Sequence, residues 1–401
     1  MARSRVSIGI DIGTEAIKAV ALEVVRGEGV PRIVGVGTAQ SEGMRRGVAV
    51  DTDLAARALK EAVANLFKSL ETQSRSYYVG IGGQGLGYQK ARGSIRVSRA
   101  DNVVSHEDVK RAMQTAENNL LRIQNREILQ SFPIIFRIDN DTTSRDPIGL
   151  TGTTLDAEGI FFTAFAHNSK AIVKSLDEAR IDAEEFWASP YASATALLTK
   201  RDKEVGVMVL DIGAATTSLI VFEDGLPYSL EVIPWGSAHI TNDIVRGFTV
   251  DLDEAEKLKI HYGVVGEAAV FSKKDDLVYG NYSKKRLSEI IEARLDDIFE
   301  YVEKHLKKVD RTGLLPGGIV IVGGGANLPG IDSFAKQYLK LPARVGAVNE
   351  VGGYTDKINN PIWATATGLA LLGSERQQKG GMALRGGSGG MIARFLRAFL
   401  P

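Results

Sequence analysis

The chain has 401 residues with 49 Lys+Arg against 49 Asp+Glu, a balance that argues against a dedicated nucleic-acid binder, which shows a basic excess. Hydrophobic residues make up 44% and charged residues 24%, which excludes wholesale disorder, and the absence of cysteine excludes disulfides, thiolate zinc sites and cysteine nucleophiles. The histidines are scattered, no run is long and apolar enough to span a bilayer, and residues 1–5 lead into VSIGID without an apolar signal region, so a soluble protein of the reducing cytoplasm is expected.

Val/Ile-rich runs alternate with helical patterns, which predicts α/β layering. Strands are expected at 5–10, 17–24, 33–38, 206–210, 217–222 and 318–322. Helix 52–70, with Asp51 as its N-cap, places Leu54, Ala58, Leu59, Ala62, Val63, Leu66 and Leu70 on one face. Ser105 and Asp108 form a capping-box start for a helix that turns Val109, Ala112, Met113 and Ala116 inward. The stretch 80–165, with short strands and turns at Asn140-Asp141 and Asp146-Pro147, differs from its flanks and reads as an insertion. A long helix at 284–309 has Leu287, Ile291, Leu295, Ile298, Val302, Leu306 and Val309 as its stripe. Residues Gly373–Gly390 hold seven glycines and read as a flexible linker. The last ten or so residues repeat apolar side chains at helical spacing.

Two turns carry the chemistry. Asp11-Ile-Gly13-Thr14 follows the first strand and leads to Lys18 in the second, and Asp211-Ile-Gly213 with Thr216 and Thr217 repeats the arrangement. Glycine lets backbone N–H groups approach an anion and hydroxyls add donors, so each turn is suited to part of a phosphate chain. Asp11 and Asp211 are placed to hold the waters of Mg²⁺, which keeps most of its own hydration. A single Asp-x-Gly after a strand is an ordinary hairpin; two copies in matching contexts suggest two related halves facing one nucleotide. A third signal is Gly323-Gly324-Gly325-Ala326-Asn327 between a strand and a helix. It is neither a Walker loop nor a dinucleotide fingerprint, but bare backbone there suits a flat base or ribose. Glu256 and Lys259, three apart on a helix, are either ribose or adenine contacts or a solvated pair.

The order of these three motifs resembles the actin, heat-shock chaperone and sugar-kinase ATPase superfamily, an actin-like, ribonuclease H-like two-domain α/β fold. Longer stretches make the chain similar to the bacterial cell-division actin homologues of the FtsA family. They are Ser41-Glu-Gly-Met-Arg-Arg-Gly-Val-Ala-Val-Asp51, Pro147-Ile-Gly-Leu-Thr-Gly152, Pro234-Trp-Gly-Ser-Ala-His-Ile-Thr-Asn-Asp243-Ile and Ala255-Glu-Lys-Leu-Lys259. The resemblance runs from residue 5 to about 372. It implies domain I over 1–79, 166–204 and 346–372, interrupted by an inserted α+β subdomain at 80–165 for filament and partner contacts. Domain II would cover 205–240 and 314–345, with a smaller subdomain at 241–313. Residues 373–390 would be the linker, and 391–400 a membrane-targeting amphipathic helix. It further implies ATP with Mg²⁺ as ligand. Asp11, Gly13, Thr14 and Lys18 would face the phosphates, with Asp211, Gly213, Thr216 and Thr217 on the γ-phosphate side. Gly236, Glu256, Lys259, Gly323, Gly324, Gly325 and Asn327 would complete the site.

Two departures bear on catalysis. Ser189 precedes Pro190 where many relatives place a water-positioning Glu or Gln, and Ala214 replaces a second glycine. Serine is no strong general base at neutral pH, so ATP binding with at most slow hydrolysis is expected. In the tail, Met391, Ile392, Phe395, Leu396, Phe399 and Leu400 share a face flanked by Arg394 and Arg397, suited to an anionic bilayer surface; docking on the body or on a partner is the alternative. Arg286 and Arg294 on the long helix are either a solvated basic face or, by the resemblance, the contact for the C-terminal peptide of the tubulin-like protein FtsZ. The function implied is a tether of the FtsZ ring to the cytoplasmic face of the inner membrane at the septum, self-assembling and recruiting later division proteins. The rival readings are an actin-like assembly ATPase of the type IV pilus inner-membrane platform and a small-molecule kinase.

Overall fold

The computed structural model describes residues 5–24, 30–68, 70, 75–121, 123–269, 277–278, 281–348, 351–353 and 358–378. The chain opens with β1 (Arg5–Ile12), β2 (Ala16–Val24) and β3 (Arg32–Gln40). The small hairpin β4 (Met44–Arg45) and β5 (Val48–Ala49) leads to α1 (Thr52–Phe67) and β6 (Arg75–Ile81). Next come β7 (Gly87–Arg96), α2 (His106–Asn118), β8 (Arg126–Ile138), β9 (Thr142–Ser144) and β10 (Thr154–Phe165). α3 (Ala166–Ala179), β11 (Ala183–Ala188), α4 (Ser189–Leu197) and α5 (Lys200–Val205) complete the first half. The second half is built from β12 (Val207–Ile212), β13 (Thr217–Glu223), β14 (Leu226–Ile233), α6 (Ser237–Phe248), α7 (Leu252–Tyr262), β15 (Leu277–Val278), β16 (Tyr282–Ser283) and α8 (Lys284–Lys308). It continues with β17 (Ile319–Val322), α9 (Ile331–Leu339) and β18 (Ala343–Val345); β19 (Gly352–Gly353) and α10 (Ala364–Gln378) return to the first half.

Each half is organised on one mixed sheet, ordered β11-β6-β1-β2-β3-β19 in the first and β14-β13-β12-β17-β18 in the second. In both, an antiparallel meander of three strands is extended by parallel strands on the side of the first. α1 buries Ala55, Leu59, Ala62 and Leu66 on the first sheet, each leucine contributing about 2 kcal/mol of apolar transfer. The aspartate of each motif lies inside its strand, next to last, so sheet register fixes its direction. The expected helix 52–70 stops at Phe67, where Leu70 N–H closes a turn on Phe67 O.

The inserted sheet, β7-β10-β8-β9, departs from the expected short strands: β8 and β10 run 13 and 12 residues. A bulge opposite Glu158/Gly159 accommodates Pro133, which has no N–H to give the ladder. α2 lies on this sheet, and its buried Asp108 satisfies both Ser105 and Ser98. The expected linker at 373–390 also starts differently, because α10 continues to Gln378. A Cβ at Gly373 would lie 2.2 Å from Ser7 Oγ and from the Tyr78 ring, and Arg376 pairs with the buried Glu185, so these residues are packed. No helix among the described residues is long and apolar enough to cross a membrane.

Candidate functional site

The first turn is set by the β1–β2 register, which places Asp11 opposite Lys18. Their side chains pair at 3.2 Å and are only 16% and 15% exposed. Thr14 Oγ1 accepts from Gly47 N–H at 2.9 Å, which ties the turn to the hairpin inside the Ser41–Asp51 segment. That bond uses a lone pair, so the Thr14 hydroxyl proton is left to donate.

The second turn is set by β12. Asp211 stands opposite Ser218 of β13 and Val322 of β17. Burial, then the negative charge of Asp11, push its carboxyl up to about 6, while Lys18 and a hydrogen bond from Thr365 act the other way. The two turns therefore meet electrostatically. Gly323 makes room for the carboxylate: its φ is +84° and a Cβ there would lie 2.3 Å from Asp211 Oδ1. A Cβ at Gly325 would strike Ile212, whereas one at Gly324 would meet nothing within 4 Å. The Gly324 backbone is thus the open surface of this turn.

The other expected residues divide. Gly213 N–H closes its own turn on Thr216 O at 3.0 Å. The first N–H groups of α6 are taken by that turn, Ser237 N–H by Gly213 O and Ala238 N–H by Ala214 O, both at 2.8 Å. Gly236 is pressed against the same carbonyls and its N–H donates to His239 Nδ1 at 3.1 Å, so its place is to seat α6 on the turn rather than to offer a donor. Thr217 is completely buried and its hydroxyl has no partner among the described residues, so it faces the interior of the sheet and not the mouth of the turn. Of Glu256 and Lys259, the glutamate is 44% exposed and the lysine 13%. Lys259 Nζ donates to Glu256 Oε2 at 2.7 Å, to Thr241 Oγ1 at 2.8 Å and to Ser237 O at 3.3 Å, which cross-links α7 to α6. Asn327 Nδ2 donates to Asn360 Oδ1 at 3.1 Å, bridging the glycine turn to the approach to α10. Ser189 opens α4 with its hydroxyl against the ends of β6: a Cβ at Gly80 would be 2.7 Å from Ser189 Oγ.

The donor set fits a hydrated cation and not a protein cage. No group of three His, Cys, Asp or Glu capable of holding a metal exists among the described residues. Asp11 and Asp211 alone suit an ion that keeps its waters and shares a phosphate chain.

On the partner face the two arginines differ. Arg286 is 59% exposed and pairs with Glu289. Arg294 is 19% exposed, held by Asp243 at 2.7 Å and Asp297 at 3.0 Å, and stacked over Trp235 at 5.1 Å. It is a structural cation of the α6–α8 junction and not a free one. The tail residues Met391, Ile392, Arg394, Phe395, Leu396, Arg397, Phe399 and Leu400 lie outside the described residues.

A family model described as "Cell division protein FtsA" matches residues 208–368, and one described as "SHS2 domain inserted in FTSA" matches 83–163. The cell division protein FtsA of Neisseria meningitidis is 32% identical over 403 residues, covering 97% of this chain and 96% of that protein. The chain belongs to the FtsA family. The FtsA of Borreliella burgdorferi agrees, at 31% identity over 92% of this chain and 91% of its own length. Among solved structures, the type IV pilus PilM-PilN complex has a TM-score of 0.66 at 18% identity over 92% of this chain and 98% of that one. MreB5 of Spiroplasma citri bound to ADP scores 0.55 at 12% identity over 94% and 99%. These likenesses establish the actin-like fold, and the inserted sheet of this FtsA-family chain is its SHS2 domain. The FtsA relatives make it a cell-division actin-like protein.

Proposed function

We propose that this protein binds ATP with Mg²⁺ between its two Asp-x-Gly turns and tethers the FtsZ ring to the cytoplasmic face of the inner membrane. The observation that carries the nucleotide part is convergence: the Asp11–Lys18 turn, the Asp211 turn and the open Gly324 backbone come from three distant segments and meet at one place. Thr14 and Lys18 supply a donor and a cation for the phosphates, Asp11 and Asp211 would orient the waters of the ion, and the 323–327 turn with Glu256 and Lys259 would take the adenosine. The ion, when bound, would neutralise phosphate charge. Ser189 precedes Pro190 where many relatives carry a water-positioning Glu or Gln, so on this reading hydrolysis is slow at most and ATP acts by holding the two halves in one arrangement.

The membrane part rests on the sequence of 391–400 behind the glycine-rich segment, and the FtsZ part on the family. On this reading the inserted domain serves filament contacts and recruitment of later division proteins. The exposed N-terminal turn of α8, with Arg286, takes the FtsZ tail, and Arg294 shapes that face through Asp243 and Trp235. The pilus-platform reading shares the fold alone, and the family assignment weighs against it.

The deciding experiment is flotation with anionic liposomes, with MgATP and FtsZ, comparing the full chain with one stopped at Gly390. The full chain is expected to float and carry FtsZ with it, and the shortened chain to stay below. Equal flotation of both would move the membrane contact to the folded body, and flotation without FtsZ would remove the tether.

A further inference from the structure

Two buried hydroxyls lie behind the second turn. Ser193 of α4 is fully buried and Thr365, in the first turn of α10, is 4% exposed; their oxygens are 2.7 Å apart. Thr365 Oγ1 is placed to donate to Asp211 Oδ2 at 3.4 Å, and Ser193 Oγ to Ser189 O at 3.2 Å. A polar chain, Asp211–Thr365–Ser193–Ser189, therefore runs from the second half of the molecule to the first. The helices that carry it are locked together, since a Cβ at Gly368 of α10 would sit 1.7 Å from Ala192 O of α4.

Each hydroxyl has one proton to give, and a 2.7 Å oxygen–oxygen contact in the interior requires that one of the two donate to the other. The pair cannot serve Asp211 and the Ser189 carbonyl at once. Either Ser193 donates to Thr365 and Thr365 to Asp211, or Thr365 donates to Ser193 and Ser193 to Ser189 O. The chain has two settings, selected by whether Asp211 is turned toward Thr365.

We propose that Thr365 is a positioning residue for the Asp211 carboxylate: with the hydrated cation of a bound nucleotide present, Ser193 donates to Thr365 and Thr365 to Asp211, and without it the Ser193–Thr365 pair reverses its hydrogen bonds toward Ser189. This rests on the nucleotide reading above and deepens it: the start of α4, where Ser189 meets Gly80, receives a different hydrogen bond in the two states. If the hydroxyls only satisfied each other's burial, removing one would weaken the fold without regard to metal.

The test compares Thr365→Val and Thr365→Ser with the parent full chain. Affinity for ATP is measured with Mg²⁺ and with EDTA, alongside thermal unfolding. Valine keeps the shape and deletes the donor, so MgATP affinity should fall about tenfold, the scale of one hydrogen bond to a charged group. ATP affinity in EDTA should change less than about twofold, and serine should restore MgATP binding to within about threefold. Equal losses with and without Mg²⁺, no rescue by serine, unchanged MgATP affinity in Thr365→Val, or a parent indifferent to Mg²⁺ would overturn the positioning role. Failure of the parent itself to bind ATP would instead overturn the nucleotide reading and this inference with it.

Discussion

Asp11 and Asp211 hold the same place in two hairpins, next to last in a strand and opposite the first residues of the following one. The register gives Asp11 a lysine across the strand pair and Asp211 a serine. Asp11 therefore has its own counter-ion at 3.2 Å, while Asp211 is enclosed by Gly323, approached by Thr365 and repelled by Asp11. A repeated motif has been given unequal electrostatics by one cross-strand position. The first turn carries its own cation, and the second carries a carboxylate that only the more distant Lys18 and the Thr365 hydroxyl offset; on the proposed function, a cation bound with the nucleotide would relieve it.

The enclosure of Asp211 is the most sensitive part of that contrast. Gly323→Val puts a branched side chain at φ +84° and into the carboxylate, with an expected cost above about 3 kcal/mol, read by urea unfolding, and loss of nucleotide binding. The neighbouring Gly324→Val separates fold from ligand. A Cβ at Gly324 meets nothing within 4 Å, so stability should move by less than about 1 kcal/mol while ATP affinity falls about a hundredfold, or about 3 kcal/mol. Normal affinity in that variant would take the nucleotide away from this turn.

The asymmetry also has a pH signature in the nucleotide-free protein. With a carboxyl near 6 when folded, against 3.8 in its reference state, Asp211 holds its proton more tightly in the native chain. Its contribution favours folding below about pH 4 and is lost as pH rises through about 6. Asp211→Asn removes the charge, so the variant should exceed the parent in stability at neutral pH by no more than about 3 kcal/mol. The gap should close toward pH 4. A gap that grows on acidification would mean that Asp211 is held ionised, like Asp108, whose burial is outweighed by its serine donors to give a carboxyl of about 2.

Much of this architecture is legible in the sequence because apolar runs ending in Asp-x-Gly mark β1 and β12, and the α1 stripe is regular. What was hidden was long-range. Thr365 sits in a run of small residues, ATATGLAL, that reads as an ordinary packed helix, and nothing local announces that it meets Ser193 and Asp211. Strands β6 and β11 lack the apolar run that marks their neighbours, and the length of β8 was disguised by Pro133. The charged residues stay ambiguous in the sequence for the same reason. Glu256 and Lys259 read either as ligand contacts or as a solvated pair, and their ties to Thr241 and Ser237 of α6 are not legible locally; Arg294 reads either as a solvated cation or as a partner contact, and its pairing with Asp243 and Trp235 is equally long-range. Gly236 and Thr217 are site residues by resemblance, and no local signal in the sequence shows that Gly236 seats α6 or that Thr217 is buried in the sheet.

The smallest expected effect tests the comparison most directly. Lys18→Met keeps the length of the side chain and removes the cation that both aspartates feel. Removing a positive charge favours the protonated carboxyl, so the pH window of Asp211 should move upward. ATP affinity should fall about tenfold, as for one charge-assisted contact, with stability altered by less than about 1 kcal/mol because the pair is not fully desolvated. Combined with Asp211→Asn, the loss should be less than the sum of the single losses, since the neutral amide no longer needs the lysine. Strict additivity would show that Lys18 acts on the ligand and Asp11 alone, and that the two turns share a cleft without sharing a field.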